Sequence, residues 1–95
     1  MFIVLLRFAD NKDRARQLME AHKEWIDRGI EDGVFLLVGS LRLNFGGAVV
    51  AHNTSLSALE DRVKKDPFVA NNVVSPEILE IAPNRADERL AFLMP

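Results

Sequence analysis

The stretch from Asp13 to Ile30 constrains the fold most strongly, because it carries the longest helical pattern of the chain. Apolar residues recur there at spacings of three, four and seven, which predicts one helix with one apolar face. The apolar face comprises Ala15, Leu18, Met19, Trp25, Ile26 and Ile30. His22 lies in the middle of this face, so the helix would direct a titratable ring toward the protein interior.

Short apolar runs and turn signals divide the rest of the chain. Strands are predicted at Phe2–Phe8, Val34–Val38, Ala48–His52 and Asn72–Ile81, and a second helix at Leu56–Lys65. Pro76 marks the last strand as an edge strand or the site of a bulge. Pro67 ends the second helix, and Phe68–Asn71 would form one irregular turn.

Polar residues and glycines predict how these elements begin and turn. Asp10, Asn11 or Asp13 could cap the first helix, and Asn53-Thr54-Ser55 would cap the second. Asn44-Phe45-Gly46-Gly47 predicts a hairpin, because paired glycines supply the positive φ that tight turns need.

The order of elements, β-α-β-β-α-β, predicts an α+β protein of the ferredoxin-like type, with both helices on one face of a four-stranded antiparallel sheet. The runs Ile3–Leu6, Val34–Val38 and Ala48–Ala51 do not alternate apolar with polar residues, as strands with one wet face would. Both sheet faces therefore need cover, and a second copy would provide it. We expect a homodimer formed through the sheet faces.

Composition excludes several classes of function. The chain of 95 residues is long enough for one domain. It carries a net charge of -2 and has no stripe of basic residues, so no nucleic acid is expected as a partner. The absence of cysteine excludes disulfides and thiolate catalysis. No metal site and no cofactor-binding loop is predicted. No signal peptide or membrane span is found, so we expect a cytoplasmic protein without a membrane partner.

His22 and Asp66 are the candidates for chemistry. Each has a simpler interpretation: His22 as a hydrogen-bonded core residue, and Asp66 as a turn-former before Pro67. If the two met, the carboxylate would accept from one ring nitrogen and leave the other free as a base. Trp25, Phe45 and Phe68 are candidate apolar walls of a pocket, although such residues are more often plain core. The second histidine, His52, is expected at the surface.

The chain resembles YciI-like proteins, the YCII-related domain family, over about residues 1 to 83. The resemblance rests on the order of several short features: the opening strand, the helix with His22, the glycines 33, 39, 46 and 47, Asp66-Pro67-Phe68 and the final strand. It implies a dimeric α+β barrel with a His22–Asp66 pair in a pocket. Many relatives have Gly-Pro where this chain has Gly39-Ser40, so Ser40 would line the pocket with a hydroxyl. The extension 84–95 lies outside the resemblance and would either dock on the partner subunit or be disordered.

Three functions are compatible with these observations. The first is a cofactor-free enzyme in which His22 and Asp66 perform acid–base chemistry, proton abstraction or elimination, on a small organic molecule. The family includes a dehydrochlorinase for a chlorinated hydroxyhydroquinone, but most members have no assigned reaction, so the fold does not give the substrate. The alternative is a non-catalytic binding or assembly module with a structural His–Asp pair. A haem- or quinone-degrading oxygenase is a third, weaker hypothesis, supported by the barrel shape alone.

Overall fold

A computed structural model describes all 95 residues of the chain. Its strands are β1 (Phe2–Phe8), β2 (Phe35–Leu41), β3 (Gly46–Ala51) and β4 (Val74–Glu80), and its α-helices are α1 (Ala15–Glu31), α2 (Leu56–Lys64) and α3 (Pro67–Ala70). The strands form one antiparallel sheet in the order β2-β3-β1-β4. This is the predicted ferredoxin-like arrangement, with β1 bounded as the sequence predicts. As Pro76 indicates, β4 is an edge strand.

The core lies between the helices and one face of the sheet. Strand β1 directs Phe2, Val4 and Leu6 to this side, and all three are buried. The helices contribute Trp25 from α1, Leu59 and Val63 from α2 and Phe68 from α3 to the same cluster. The predicted placement of both long helices on one face is therefore confirmed.

The opposite sheet face carries apolar side chains that the helices do not cover. The alternation along each strand and the strand register assign Ile3, Leu5, Leu37, Leu41, Ala48, Val50 and Leu79 to this face. Leu37 is 65% exposed and Leu79 is 42% exposed. We call these seven residues the open face. They explain why the strand sequences do not alternate.

Helix α1 differs from its prediction at both ends. A 3-10 turn, Lys12–Arg14, precedes it, and no side chain caps the helix, so capping by Asp10, Asn11 or Asp13 was wrong. Arg14, at the N-cap position, belongs to this turn and already has helical backbone angles. A side-chain cap requires an extended residue at that position. Ile30, predicted on the inner face, lies in the last turn of the helix and is 51% exposed.

The β2–β3 connection uses only one of the two expected glycines. Strand β2 continues to Leu41, a 3-10 turn follows, and the positive φ angles fall on Leu43, Asn44 and Gly46. Gly47 lies inside β3 instead, so the prediction for it was wrong. Gly46 remains essential to the turn, because its φ is 133° and a Cβ there would overlap the backbone of Leu6.

The second helical region follows the sequence closely. The Ser55 hydroxyl accepts from the backbone N–H of Ala58 at 3.1 Å and so caps α2, as expected. The helix ends before Pro67, but the predicted irregular turn is a short helix, α3, with Pro67 at its first position. No helix of the protein is both long enough and apolar enough to cross a bilayer.

The C-terminal extension folds against its own chain. Residues Glu88–Leu93 form a 3-10 helix capped by Asp87, whose pKa is lowered by hydrogen bonds from the side chain and backbone of Arg89. The Phe92 ring packs edge-on against His52 at 5.6 Å between ring centroids. His52, expected at the surface, is consequently only half-exposed.

Candidate active site

His22 and Asp66 meet beside the core although 44 residues separate them in the sequence. The Nδ1 atom of His22, on α1, lies 2.7 Å from Oδ1 of Asp66, at the start of α3. The Asp66 side chain is completely buried, and that of His22 is 13% exposed. Since a carboxylate only accepts hydrogen bonds, Nδ1 carries the donated proton and the second ring nitrogen, Nε2, is left without one in the neutral ring.

The local sequence fixes the Asp66 carboxylate in place. Asp66 is the N-cap of α3, and its Oδ1 also accepts from the backbone N–H of Phe68 at 3.0 Å. Pro67 suits the first helical position because its φ is already helical and it has no N–H to satisfy. The other oxygen, Oδ2, is buried without a hydrogen-bond partner in the chain. The turn-forming role of Asp66 and its contact with His22 are therefore served by one oxygen atom.

Two aromatic rings set the plane of the imidazole. The Phe68 ring stacks on His22 with 3.9 Å between centroids and 2° between planes. Trp25 lies one turn further along α1, 5.8 Å from the imidazole centroid, and its Nε1 donates to the carbonyl of Arg62 at 2.9 Å. With a hydrogen bond at Nδ1 and stacked neighbours, the imidazole has little rotational freedom.

A cavity of about 360 Å³ opens beside His22. It lies between α1 and the end of the sheet where β1 and β2 finish and β3 begins, and most of its lining residues are hydrophobic. Gly39, Gly46 and Gly47 also line it and present only backbone atoms to the cavity. His22 Nε2 makes no hydrogen bond within the chain, so it is available to a molecule in the cavity.

The predicted site residues fall into three groups. His22, Trp25, Ser40 and Phe68 line the cavity, whereas Asp66 lies behind the imidazole without lining it. The structure does not bring Phe45 to this cavity. Phe45 follows the 3-10 turn between β2 and β3, its side chain is 60% exposed, and only its carbonyl is used, as an acceptor for Phe8.

Lys23 lines the cavity but was not predicted to do so. The helical pattern placed it among the solvated residues of α1. A signal was nevertheless present, because Lys23 follows Met19 by four residues and precedes Ile26 by three. Those spacings put it at the border of the apolar face, where a long side chain can reach either way.

Comparison with known proteins places the chain in a family. The model of the YCII-related domain matches residues 1–82. No curated protein matches the chain. Among solved structures, the chain is similar to 5-chloro-2-hydroxyhydroquinone dehydrochlorinase (TftG) from Burkholderia phenoliruptrix AC1100, in complex with 2,5-dihydroxybenzoquinone. The TM-score is 0.69 and the sequence identity is 12%. The match covers 85% of this chain and 93% of that one. At this identity the likeness concerns the fold, whereas the family model covers most of the sequence: the chain belongs to the YCII-related domain family.

Proposed function

We propose that this protein is a cofactor-free enzyme in which His22 transfers a proton to or from a small organic molecule bound in the cavity, while Asp66 orients the imidazole. One observation carries the proposal: a completely buried carboxylate lies 2.7 Å from Nδ1, while His22 lines a cavity of about 360 Å³ and its other ring nitrogen has no hydrogen bond within the chain. A purely structural pair would have no need of an unoccupied nitrogen beside such a cavity.

The chemistry that suits this geometry is proton abstraction from carbon, followed in some substrates by elimination. Nε2 would take a proton from a carbon next to a carbonyl group, and the C–H electron pair would form an enolate. Where the substrate carries a leaving group such as chloride, the enolate electrons would expel it with its bonding pair. A positioned general base of this kind contributes about 10²–10⁴-fold to a rate.

The structural relative supports this class of reaction without identifying the substrate. That protein is a dehydrochlorinase and was captured with a dihydroxybenzoquinone. Removal of hydrogen chloride is an elimination, the class of reaction that a base beside a cavity could perform in this chain. The 12% identity supports no closer analogy, so the substrate of this chain remains to be identified by screening.

The active form would be a homodimer joined through the open face. Seven apolar residues on one sheet face, among them Leu37 at 65% exposure, are a costly surface for water. A second copy is the occupant that fits, because the family resemblance implies a dimeric barrel and the two faces would be self-complementary. The extension 84–95 would dock on the partner subunit through Phe92, which is 57% exposed.

Replacement of each histidine in turn tests the catalytic role. The purified protein is screened against chlorinated hydroquinones and muconolactone-type compounds, by chloride release and by ultraviolet absorbance. On any substrate found, His22→Gln should lower kcat by about 10²–10⁴-fold, because the amide of glutamine cannot take up the proton. His52→Gln is the matched control and should retain full activity, since His52 lies under Phe92 and away from the cavity.

Two results would contradict the proposal. One is turnover that His22→Gln leaves unchanged. The other is an absence of both turnover and ligand-induced thermal stabilisation across the panel, which would favour a non-catalytic assembly module with a structural His–Asp pair.

A further inference from the structure

The polar side chains that line the cavity are few, and none is acidic. They belong to His22, Lys23 and Ser40. This contrasts with the chain as a whole, which has more acidic than basic residues and a net charge of -2. Asp66, the acid in contact with His22, is not among the residues that line the cavity.

The ammonium group of Lys23 has no partner within the protein. Glu20 and Asp27 lie one helical turn to either side, yet neither carboxylate comes within 4.0 Å of it, and no ion pair involves Lys23. Met19 and Ile26, its apolar neighbours on α1, line the cavity beside it. Lys23 is an exposed residue, so water partly screens its charge, and an anion held beside it gains a modest attraction that salt weakens.

The cavity also limits the size and shape of its ligand. A volume of about 360 Å³ is at the small end for ligand sites, and ten of the sixteen lining residues are hydrophobic. The stacked plane of His22 and Phe68 favours a flat molecule. A single ring with a few substituents meets these conditions, provided that one substituent can use the cation.

We propose that Lys23 binds the anionic oxygen of the ligand, so that the substrates of this site are small planar organic oxyanions, carboxylates or phenolates. This inference rests on the proposed role of the cavity as the substrate site. Ser40 would donate a second hydrogen bond to the same oxygen. Lys23 would also lie near the negative charge that develops on oxygen when His22 removes a proton from carbon.

Binding of matched anionic and neutral probes tests the inference without knowledge of the substrate. Benzoate is compared with benzamide for the carboxylate arm, and pentafluorophenolate with pentafluorobenzene for the phenolate arm. Affinities are measured by NMR titration at neutral pH and low ionic strength. Wild type should prefer the anion by about three- to tenfold in at least one arm, the range expected for a partly screened ion pair.

Three variants separate the charge of Lys23 from general effects. Lys23→Gln should abolish the preference for the anion while the neutral probe binds as before. Lys23→Arg should retain the preference, because the charge is kept. Lys64→Gln removes an exposed lysine from α2, outside the cavity, and should leave both affinities unchanged.

The outcomes distinguish this inference from the proposed function. Equal binding of anion and neutral probe in both arms, alongside turnover that requires His22, would overturn the role of Lys23 alone. An anion preference that disappears in Lys23→Gln would support the inference even if no tested turnover depended on His22. If neither member of either pair bound at millimolar concentration, the role of Lys23 would be overturned, whereas the proposed function would still be decided by the turnover of His22→Gln.

Discussion

At the scale of single residues, Asp66 combines two contacts that mutation can separate. Its Oδ1 caps α3 through Phe68 N–H and accepts from His22 Nδ1. Asp66→Ser should keep the cap but be too short to reach the imidazole, so His22 should lose its preference for the Nδ1–H tautomer. Long-range ¹H–¹⁵N NMR spectra measure the tautomer directly. Activity on an identified substrate should fall at least about tenfold.

A second variant is the matched control for this experiment. Asp66→Asn preserves the size of the side chain and an oxygen able to accept from both donors, so the Nδ1–H tautomer should persist. His52 is an internal reference, because neither change lies near it. The orienting role of Asp66 would be refuted if Asp66→Ser left the tautomer of His22 as in wild type.

The sequence predicts residue positions well where helical or strand periodicity determines them. It predicts them poorly where the direction of a side chain depends on the tertiary fold. The place of His22 on the inner face follows from a repeat that any regular helix must obey. Its contact with Asp66 could be proposed from chemistry, but its geometry required the fold. Phe45 and Lys23 were misjudged for a shared reason: one follows a turn and the other lies at the border of a helix face, where sequence spacing does not determine side-chain direction.

At the scale of elements, α1 packs against the sheet through one close approach. A Cβ added at Gly29 would overlap the ring of Phe35, which is buried and has its own edge contact with Trp25 at 5.0 Å. Gly29→Ala should therefore destabilise the protein by about 1–2 kcal/mol, since the overlap outweighs the roughly 1 kcal/mol gained from alanine's helix propensity. Urea denaturation measures the change.

A double-mutant cycle isolates the cause. In a Phe35→Leu background the ring is gone, so the added methyl group should cost little or even stabilise the helix. A Gly29→Ala cost that stayed the same in both backgrounds would mean that the ring of Phe35 is not what requires glycine. The sequence contains no sign of this requirement, because it arises where two elements distant in sequence touch.

Element boundaries show the same division between local and tertiary causes. β1 and the Ser55 cap of α2 depend on neighbouring residues, and both were predicted correctly. The start of α1 and the turn before β3 depend on the position and direction of the chain relative to the sheet, which are set by the tertiary fold. There the structure uses a 3-10 turn and positive φ at Leu43 and Asn44, which no glycine or capping residue marks.

At the scale of the whole molecule, the sequence and the structure lead to the same expectation by different arguments. Strands without alternation predict two buried sheet faces, and the structure covers one of them with helices. Leu37, on the edge strand β2, belongs to the other face, the open face, and is its most exposed apolar residue. The chain alone does not reveal what lies on this face, because the answer depends on a second molecule.

Charge at the open face should therefore separate the proposed dimer. In Leu37→Glu, two-fold symmetry would place two carboxylates in a largely apolar interface, and burial of such charges is strongly unfavourable. Sedimentation velocity at micromolar concentration should show dimers for wild type and single chains for this variant. Leu56→Glu is the control, because Leu56 is 42% exposed on the helical side and a carboxylate suits the first turn of α2. Wild type that sediments as a single chain, or a Leu37→Glu variant that remains dimeric while folded, would mean that the open face does not join two copies.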